Sequence, residues 1–164
     1  MNEFLMRIKE PAYQQVYQKA DDLWNTRFAQ LTQQLKERNL PVKVVNLHSI
    51  CTVLYTVPSR YNWMFQFYLR AEGLAMSWIG SGRMIMSLNF TDEEFNHVME
   101  RFIRAAENMQ SDGWWWQSPQ LTNKSIKQQL LKEMLLARFP KARKIFKMPE
   151  ISCPSDNIKE IKQP

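Results

Sequence analysis

The chain has 164 residues, which is the length of one domain and enough to bury an apolar core without disulfides or a metal. Large side chains for that core are plentiful, with 9 Phe, 6 Trp, 5 Tyr and 10 Met. The cysteines Cys51 and Cys153 lie far apart and nothing secretory precedes them, so we expect a reduced, cytoplasmic protein. No apolar run reaches the roughly 20 residues that span a bilayer, so we expect no membrane partner.

The net charge of +6 comes mainly from the end of the chain. The excess basic residues there are Lys141, Arg143, Lys144, Lys147, Lys159 and Lys162. Because nucleic-acid-binding surfaces spread their charge over one folded face, this pattern favours a basic, poorly ordered tail over residues 141–164. We therefore expect residues 1–140 to form the folded domain and do not expect a nucleic-acid partner.

Residues 12–38 have the periodicity of one long amphipathic helix. Pro11 suits the first turn of this helix, and Asn39-Leu40-Pro41 ends it. Its apolar positions recur every three or four residues and are Val16, Ala20, Leu23, Trp24, Phe28, Leu31 and Leu35. This stripe is expected to face the core.

Residues 42–57 are rich in β-branched side chains and too long for one typical strand. They predict two strands, or one bent strand, with a break near His48-Ser49. We expect His48 to belong to a strand beside this break. The segment from Arg60 to Glu72 is aromatic on more than one face, which predicts a helix buried against both the sheet and a neighbour. Gly73 is the expected left-handed cap of that helix.

A second pair of strands, Leu74–Ile79 and Met84–Phe90, is predicted across Gly80-Ser81-Gly82, since glycine accepts the positive φ of a tight turn. Thr91-Asp92-Glu93-Glu94 is a capping box that begins a helix, which ends at Asp112-Gly113. A shorter helix is expected from Lys124 to Arg138. The fold class that follows is α+β: a small antiparallel sheet of three to four strands covered by a long N-terminal helix and C-terminal helices.

The candidates for chemistry in the chain are few. Its histidines, His48 and His97, have no evident relay, so we expect structural or surface roles for both and no catalytic residue. His48 and Cys51 lie three apart, but a metal site needs further ligands and none is expected here. Gly80 to Arg83 suits a turn better than a phosphate cradle, because a strand rather than a helix follows it.

The run Trp114-Trp115-Trp116 allows three interpretations of its role. The indoles could stack on bases or sugars, since each offers a flat face. They could instead cover the sheet or contact a partner domain. They could also mark a surface that is exposed when such a domain is absent.

The order of elements from Tyr68 to Phe95 is helix end, strand, turn, strand and helix start. With the elements around it, over residues 1–136, this order resembles the C-terminal small domain of class-III (fold type I) pyridoxal-phosphate (PLP) aminotransferases, which include glutamate-1-semialdehyde aminomutase. In that family a Gly-Leu strand is followed by a turn, a strand that often opens with Arg, and a Thr-x-Glu-Glu helix start. Gly73-Leu74, Arg83 and Thr91 to Glu94 stand in these places.

The resemblance implies a parent enzyme that moves an amino group on an amino-acid-like small molecule and works as a homodimer. Its catalytic lysine and phosphate site lie in a large PLP-binding domain, which no segment of this chain resembles. We therefore expect Met1 to be an internal position of the parent or the start of an expressed piece of it. We also expect the chain alone to hold no PLP and to be inactive.

The resemblance further implies that Arg83 binds the substrate carboxylate, because it lies seven residues before Phe90 and the Thr-x-Glu-Glu helix start. Guanidinium geometry suits that bidentate contact. The match departs from the family at Met86-Ser87-Leu88, where Pro-Pro-Leu is usual, and at Phe90, where the aminomutase branch often has His. An ion pair of Arg83 with Glu72 or a similar acid is the alternative.

A different class of function also fits the sequence. The chain could be an independent α+β binding module for a protein or nucleic acid, using Trp114 to Trp116 and the basic tail.

Overall fold

The computed structural model describes residues 2–76 and 82–138, which form an α+β fold as predicted. The helices are α1 (Asn2–Ile8), α2 (Pro11–Glu37), α3 (Phe65–Ala71), α4 (Asp92–Ser111) and α5 (Asn123–Arg138). The strands are β1 (Val42–Leu47), β2 (Ile50–Tyr55) and β3 (Arg83–Ile85), and a short 3-10 helix (Asn62–Met64) precedes α3. The expected tail, residues 141–164, lies outside the described residues, as does most of the Gly80–Gly82 turn.

The three strands form one antiparallel sheet in the order β1-β2-β3. The predicted break in residues 42–57 is confirmed, because β1 and β2 form a hairpin through His48 and Ser49. The placement of His48 in a strand is wrong. Its φ of 51° is the left-handed conformation that tight two-residue hairpin turns require, and this overrides the strand preference of its neighbours.

Helix α2 packs on β1 and α4 through a buried stripe at helical spacing. The buried apolar residues of the stripe are Ala20, Trp24, Phe28, Leu31 and Leu35. Val16 and Leu23 were expected in the same stripe, but they are 42% and 40% exposed. Arg27, which the apolar pattern did not include, is buried in this stripe instead.

Arg27 ties α2 to the start of α4. Its NH2 donates to the Phe90 carbonyl oxygen at 2.9 Å and to Asp92 Oδ1 at 2.8 Å, and its guanidinium lies over the rings of Trp24 and Phe95. These contacts pair and cover most of the guanidinium, although its NH1 has no hydrogen-bond partner within the described residues, and they allow a cation to occupy a core position.

Helix α4 begins and ends as predicted. The Thr91 hydroxyl accepts from Glu94 N at 3.2 Å, while the Glu94 carboxylate accepts from Thr91 N at 2.8 Å, which completes the capping box. Gly113, with φ 74°, follows its last turn. Helix α5 also lies within one residue of its predicted bounds.

Helix α3 differs from the prediction of burial on several faces. Phe65 and Leu69 are buried, but Trp63 and Phe67 are 57% and 43% exposed, because α3 packs mainly against α4 and turns its other side to solvent. The helical segment also begins later than Arg60, at Asn62. The left-handed cap at Gly73 is confirmed, with φ 79°.

The predicted second hairpin is wrong in extent. Of the predicted strand Leu74–Ile79, residues 74–76 are not in a strand and residues 77–79 lie outside the described residues. Of the predicted strand Met84–Phe90, only Met84 and Ile85 pair with β2, together with Arg83 before them. One more ladder bond follows, from Met86 N to Ser49 O at 2.9 Å. Ser49 belongs to the β1–β2 turn, so β3 has no further strand residues to pair with beyond it.

Candidate functional site

The sheet has two faces of different character because side chains alternate along each strand. Val44, Cys51, Val53 and Met84 point to the core and are buried. The opposite side, which we call the open sheet face, carries Lys43, Val45, Leu47, Ile50, Thr52, Leu54, Arg83 and Ile85. Leu47 and Ile85 are 72% and 77% exposed, so this face presents apolar surface to solvent.

Arg83, the predicted carboxylate-binding residue, lies on the open sheet face. It is the first residue of β3, it stands opposite Thr52 in the register, and its side chain is exposed. The residues of β2 that lie diagonal to it on that face, Ile50 and Leu54, are aliphatic. A guanidinium on an exposed sheet face can bind a carboxylate through two parallel hydrogen bonds once a second surface excludes water.

Glu72, the acid weighed from the sequence as a partner of Arg83, is held by α4. Its carboxylate accepts from Arg104 Nε at 2.8 Å and from Asn108 Nδ2 at 3.3 Å. Arg101 donates to the Glu72 carbonyl oxygen at 3.4 Å. In the structure this acid therefore fastens the end of α3 to α4.

The two histidines lie apart from each other and from Cys51. His48 Nδ1 is 2.9 Å from Asp21 Oδ1 at the β1–β2 turn, and His97 is exposed on α4 beside Glu100. Cys51 is buried on the core side of β2. Burial raises the pKa of its thiol to about 12, and a hydrogen bond with the Met84 backbone offsets only part of this rise. No group of three or more His, Cys, Asp or Glu that could hold a metal occurs within residues 2–76 and 82–138.

The three tryptophans pack around the aromatic residues at one end of the sheet. Trp115 donates through Nε1 to the Ala106 carbonyl oxygen at 2.9 Å, and its ring lies 5.3 Å from that of Phe65. Trp114 lies edge-on to Tyr61 at 5.3 Å. The interpretation that the indoles cover the fold is confirmed for Trp114 and Trp115, which pack against the core.

A cleft lies beside Trp115, where the end of α2, the start of β1 and the end of α4 meet. It has a volume of about 600 Å³, and its polar lining includes Lys36, Lys43, Gln110 and Gln117. Sequence reasoning missed this site because its residues come from separate elements. We call it the Trp115 cleft.

Neither protein-family models nor curated protein sequences gave a match to the chain. None of the helices in the described part of the chain is long and apolar enough to cross a membrane.

Proposed function

We propose that the chain is the C-terminal small domain of a PLP-dependent class-III aminotransferase or aminomutase, and that it helps to close the substrate site of the parent enzyme. The observation that carries the proposal is the placement of Arg83. It opens a strand on an exposed, largely apolar sheet face, and the capping box at Thr91 follows eight residues later.

The order of elements supports the same proposal. A long helix leads into two strands, a helix capped by Gly73, a strand that begins at Arg83 and the capped helix α4. This is the order that the family resemblance implies for residues 1–136. Residues 74–76, the described part of the strand expected at Leu74–Ile79, are not in a strand, so the resemblance rests on the remaining elements.

The open sheet face and the first half of α2 are suitable surfaces for a large domain. Leu47 and Ile85 are largely exposed on the sheet, and Val16 and Leu23 are exposed on α2. Apolar residues at these positions contribute little to this domain's own core. They would stabilise the parent by packing against the domain that holds the cofactor.

The described residues do not fit PLP by themselves. A Schiff base needs a lysine lodged in a preorganised pocket with a partner for the ring nitrogen. Every lysine in residues 2–76 and 82–138 is exposed to solvent. In the proposal, the catalytic lysine and the phosphate site therefore belong to the large domain, and this chain contributes Arg83 and a closing surface.

The reading frame upstream of the codon for Met1 tests the proposal. A continuous frame that encodes a lysine-bearing PLP domain is the expected result. A stop codon in frame, with no such domain encoded before it, would contradict the proposal and favour an independent module.

An independent protein-binding module is the second candidate, and α5 is the observation that favours it. The helix buries Leu136 and pairs Glu133 with Arg60 at 2.9 Å, but its other side is exposed and apolar. The exposed residues are Leu130, Leu131, Met134 and Leu135. If this surface binds a partner, Leu131→Glu with Met134→Glu should abolish pull-down of that partner while leaving the unfolding midpoint unchanged.

A further inference from the structure

Helix α5 has a docked side and a free side. On the docked side Gln129 and Glu133 are half-buried, Leu136 is buried, and Glu133 pairs with Arg60 at 2.9 Å. Leu131 is two residues from both Gln129 and Glu133, which places it roughly 200° round the helix from each of them. The exposed residues that share the side of Leu131, which we call the outer stripe, are Lys124, Lys127, Leu131, Met134, Leu135 and Arg138.

The outer stripe is apolar in its middle and cationic at both ends. Leu131, Met134 and Leu135 are 59%, 70% and 52% exposed, so they contribute little to the core of the domain. Lys124 and Lys127 come before them and Arg138 after them, and the stripe is about 21 Å long at 1.5 Å per residue. Glu133, the one acidic residue of α5, lies on the docked side.

Helix α5 also carries the excess positive charge of the described part of the chain. It has four basic residues and one acidic residue. The remaining described residues contain as many acidic as basic side chains. In the sequence, further basic residues follow α5 at Lys141, Arg143 and Lys144. A second copy of the chain would bring like charges together across the outer stripe, so the stripe favours an anionic partner over a copy of itself.

The position of α5 lets a flat surface reach the outer stripe. Because the docked residues lie on the opposite side of the helix, the domain is behind α5 and not in front of the stripe. A helix with an apolar side and flanking Lys or Arg residues lies in the plane of a membrane interface, where its apolar side chains enter the boundary between headgroups and acyl chains. Such binding needs no spanning helix and no groove of matching shape.

We propose that the outer stripe of α5 binds the surface of an anionic lipid bilayer. Leu131, Met134 and Leu135 enter the boundary with the acyl chains, and the cations at both ends of the stripe contact the anionic headgroups. This inference goes beyond the aminotransferase function and does not rest on it. It gives α5 a lipid partner in place of a protein partner.

The test is sedimentation of the full chain with vesicles of phosphatidylcholine that contain about one quarter phosphatidylserine, a proportion that makes the surface anionic. Vesicles of phosphatidylcholine alone are the comparison. The chain is expected to sediment with the anionic vesicles and to be released as the salt concentration rises, because salt screens the attraction. Binding to the uncharged vesicles should be at least about tenfold weaker.

Two double variants separate the outer stripe from the net charge of the chain. Leu131→Glu with Met134→Glu should weaken binding to the anionic vesicles by at least about tenfold, because it places two carboxylates at the acyl boundary. Leu5→Glu with Met6→Glu is the matched control on α1, where the same two residue types are 50% and 66% exposed. It makes the same change in net charge and should leave binding within about twofold of the original.

A third variant tests the cations at the two ends of the stripe. Lys127→Gln with Arg138→Gln should weaken binding to the anionic vesicles by at least about fivefold and leave the weak binding to uncharged vesicles as it was. Every side chain changed in the three variants is exposed, so the unfolding midpoint should stay the same.

Three outcomes would overturn the proposal. If the chain does not sediment with the anionic vesicles, the outer stripe is left to a protein partner. If the α1 control weakens binding as much as the α5 variant does, the attraction is one of net charge alone. If Leu131→Glu with Met134→Glu binds as tightly as the original chain, another part of the chain holds the vesicle.

Discussion

Arg27 offers the sharpest test of how this fold is held together. It is 6% exposed, and it joins α2 to the residues that begin α4. Arg27→Ala removes a charged donor from the Phe90 carbonyl oxygen, a contact worth about 1.5–3 kcal/mol. It also removes the side-chain stem and the guanidinium stacked on Trp24 and Phe95. We expect the free energy of unfolding to fall by about 2–4 kcal/mol.

Asp92→Asn is the matched control for the ion pair. The Asp92 side chain is 86% exposed, so the attraction between the two charges is screened by water. Asparagine keeps an acceptor oxygen and Arg27 keeps its bond to Phe90, so the cost should be only about 0.5–1 kcal/mol. Arg27→Met keeps an apolar stem and removes the NH1 donor, which has no hydrogen-bond partner within the described residues. We expect its cost to lie between those of the other two variants.

Urea unfolding followed by circular dichroism measures all three variants, and equal slopes would show that the same surface is exposed in each. The order of stability expected is Asp92→Asn, Arg27→Met, Arg27→Ala, from the most to the least stable. If Asp92→Asn costs as much as Arg27→Ala, the ion pair rather than the buried packing of Arg27 holds the helices together, and the reasoning fails.

Three further predictions concern single sites. Thr91→Ala should cost about 1 kcal/mol in urea unfolding because it removes the cap of α4, and no change in midpoint would show that the box is not formed. Gly73→Ala should lower the free energy of unfolding more than Gly113→Ala does. Both glycines have positive φ, but a Cβ at Gly73 meets Arg101 NH1 at 3.0 Å, whereas Gly113 has open space. Equal losses of stability would contradict this contact. Cys51 should resist alkylation in the folded chain. Its pKa of about 12 lies above the ordinary 9.0, so the unfolded chain loses this proton first and stability should fall as pH rises from about 9 to 12, less so in Cys51→Ala.

Helices α2 and α4 were predictable because their signals are local. The Thr91 capping box and Gly113 mark both ends of α4 within a few residues of the atoms they satisfy. Pro11 likewise opens α2 at a position where its missing N–H has no intrahelical partner. Such signals need no knowledge of the rest of the fold.

The errors arose where distant parts of the chain decide the outcome. Arg27 is buried because Phe90 and Asp92, more than 60 residues later, receive its hydrogen bonds. The alternation of apolar residues in Met84–Phe90 predicts a long strand, but Ile85 already faces Ile50, the first residue of β2. The ladder therefore ends where its partner strand ends.

The two candidate sites differ in the same way. Arg83 was found through a resemblance in linear order, and the structure places it on an exposed sheet face. The Trp115 cleft has no linear signature, because the residues that line it come together only when α2, β1 and the segment after α4 are packed.

The measurement that tests the proposed function most directly is the effect of Arg83→Lys in the enzyme that carries both domains. Lysine keeps the charge but loses the planar two-bond fork, so the amino-acid substrate should bind more weakly by about 1.5–3 kcal/mol. An amine substrate without the carboxylate should be turned over equally by both proteins, and the unfolding midpoint should hardly change because the side chain is exposed. Equal losses with both substrates, together with lower stability, would show that Arg83 is a structural residue and would contradict its role at the substrate site.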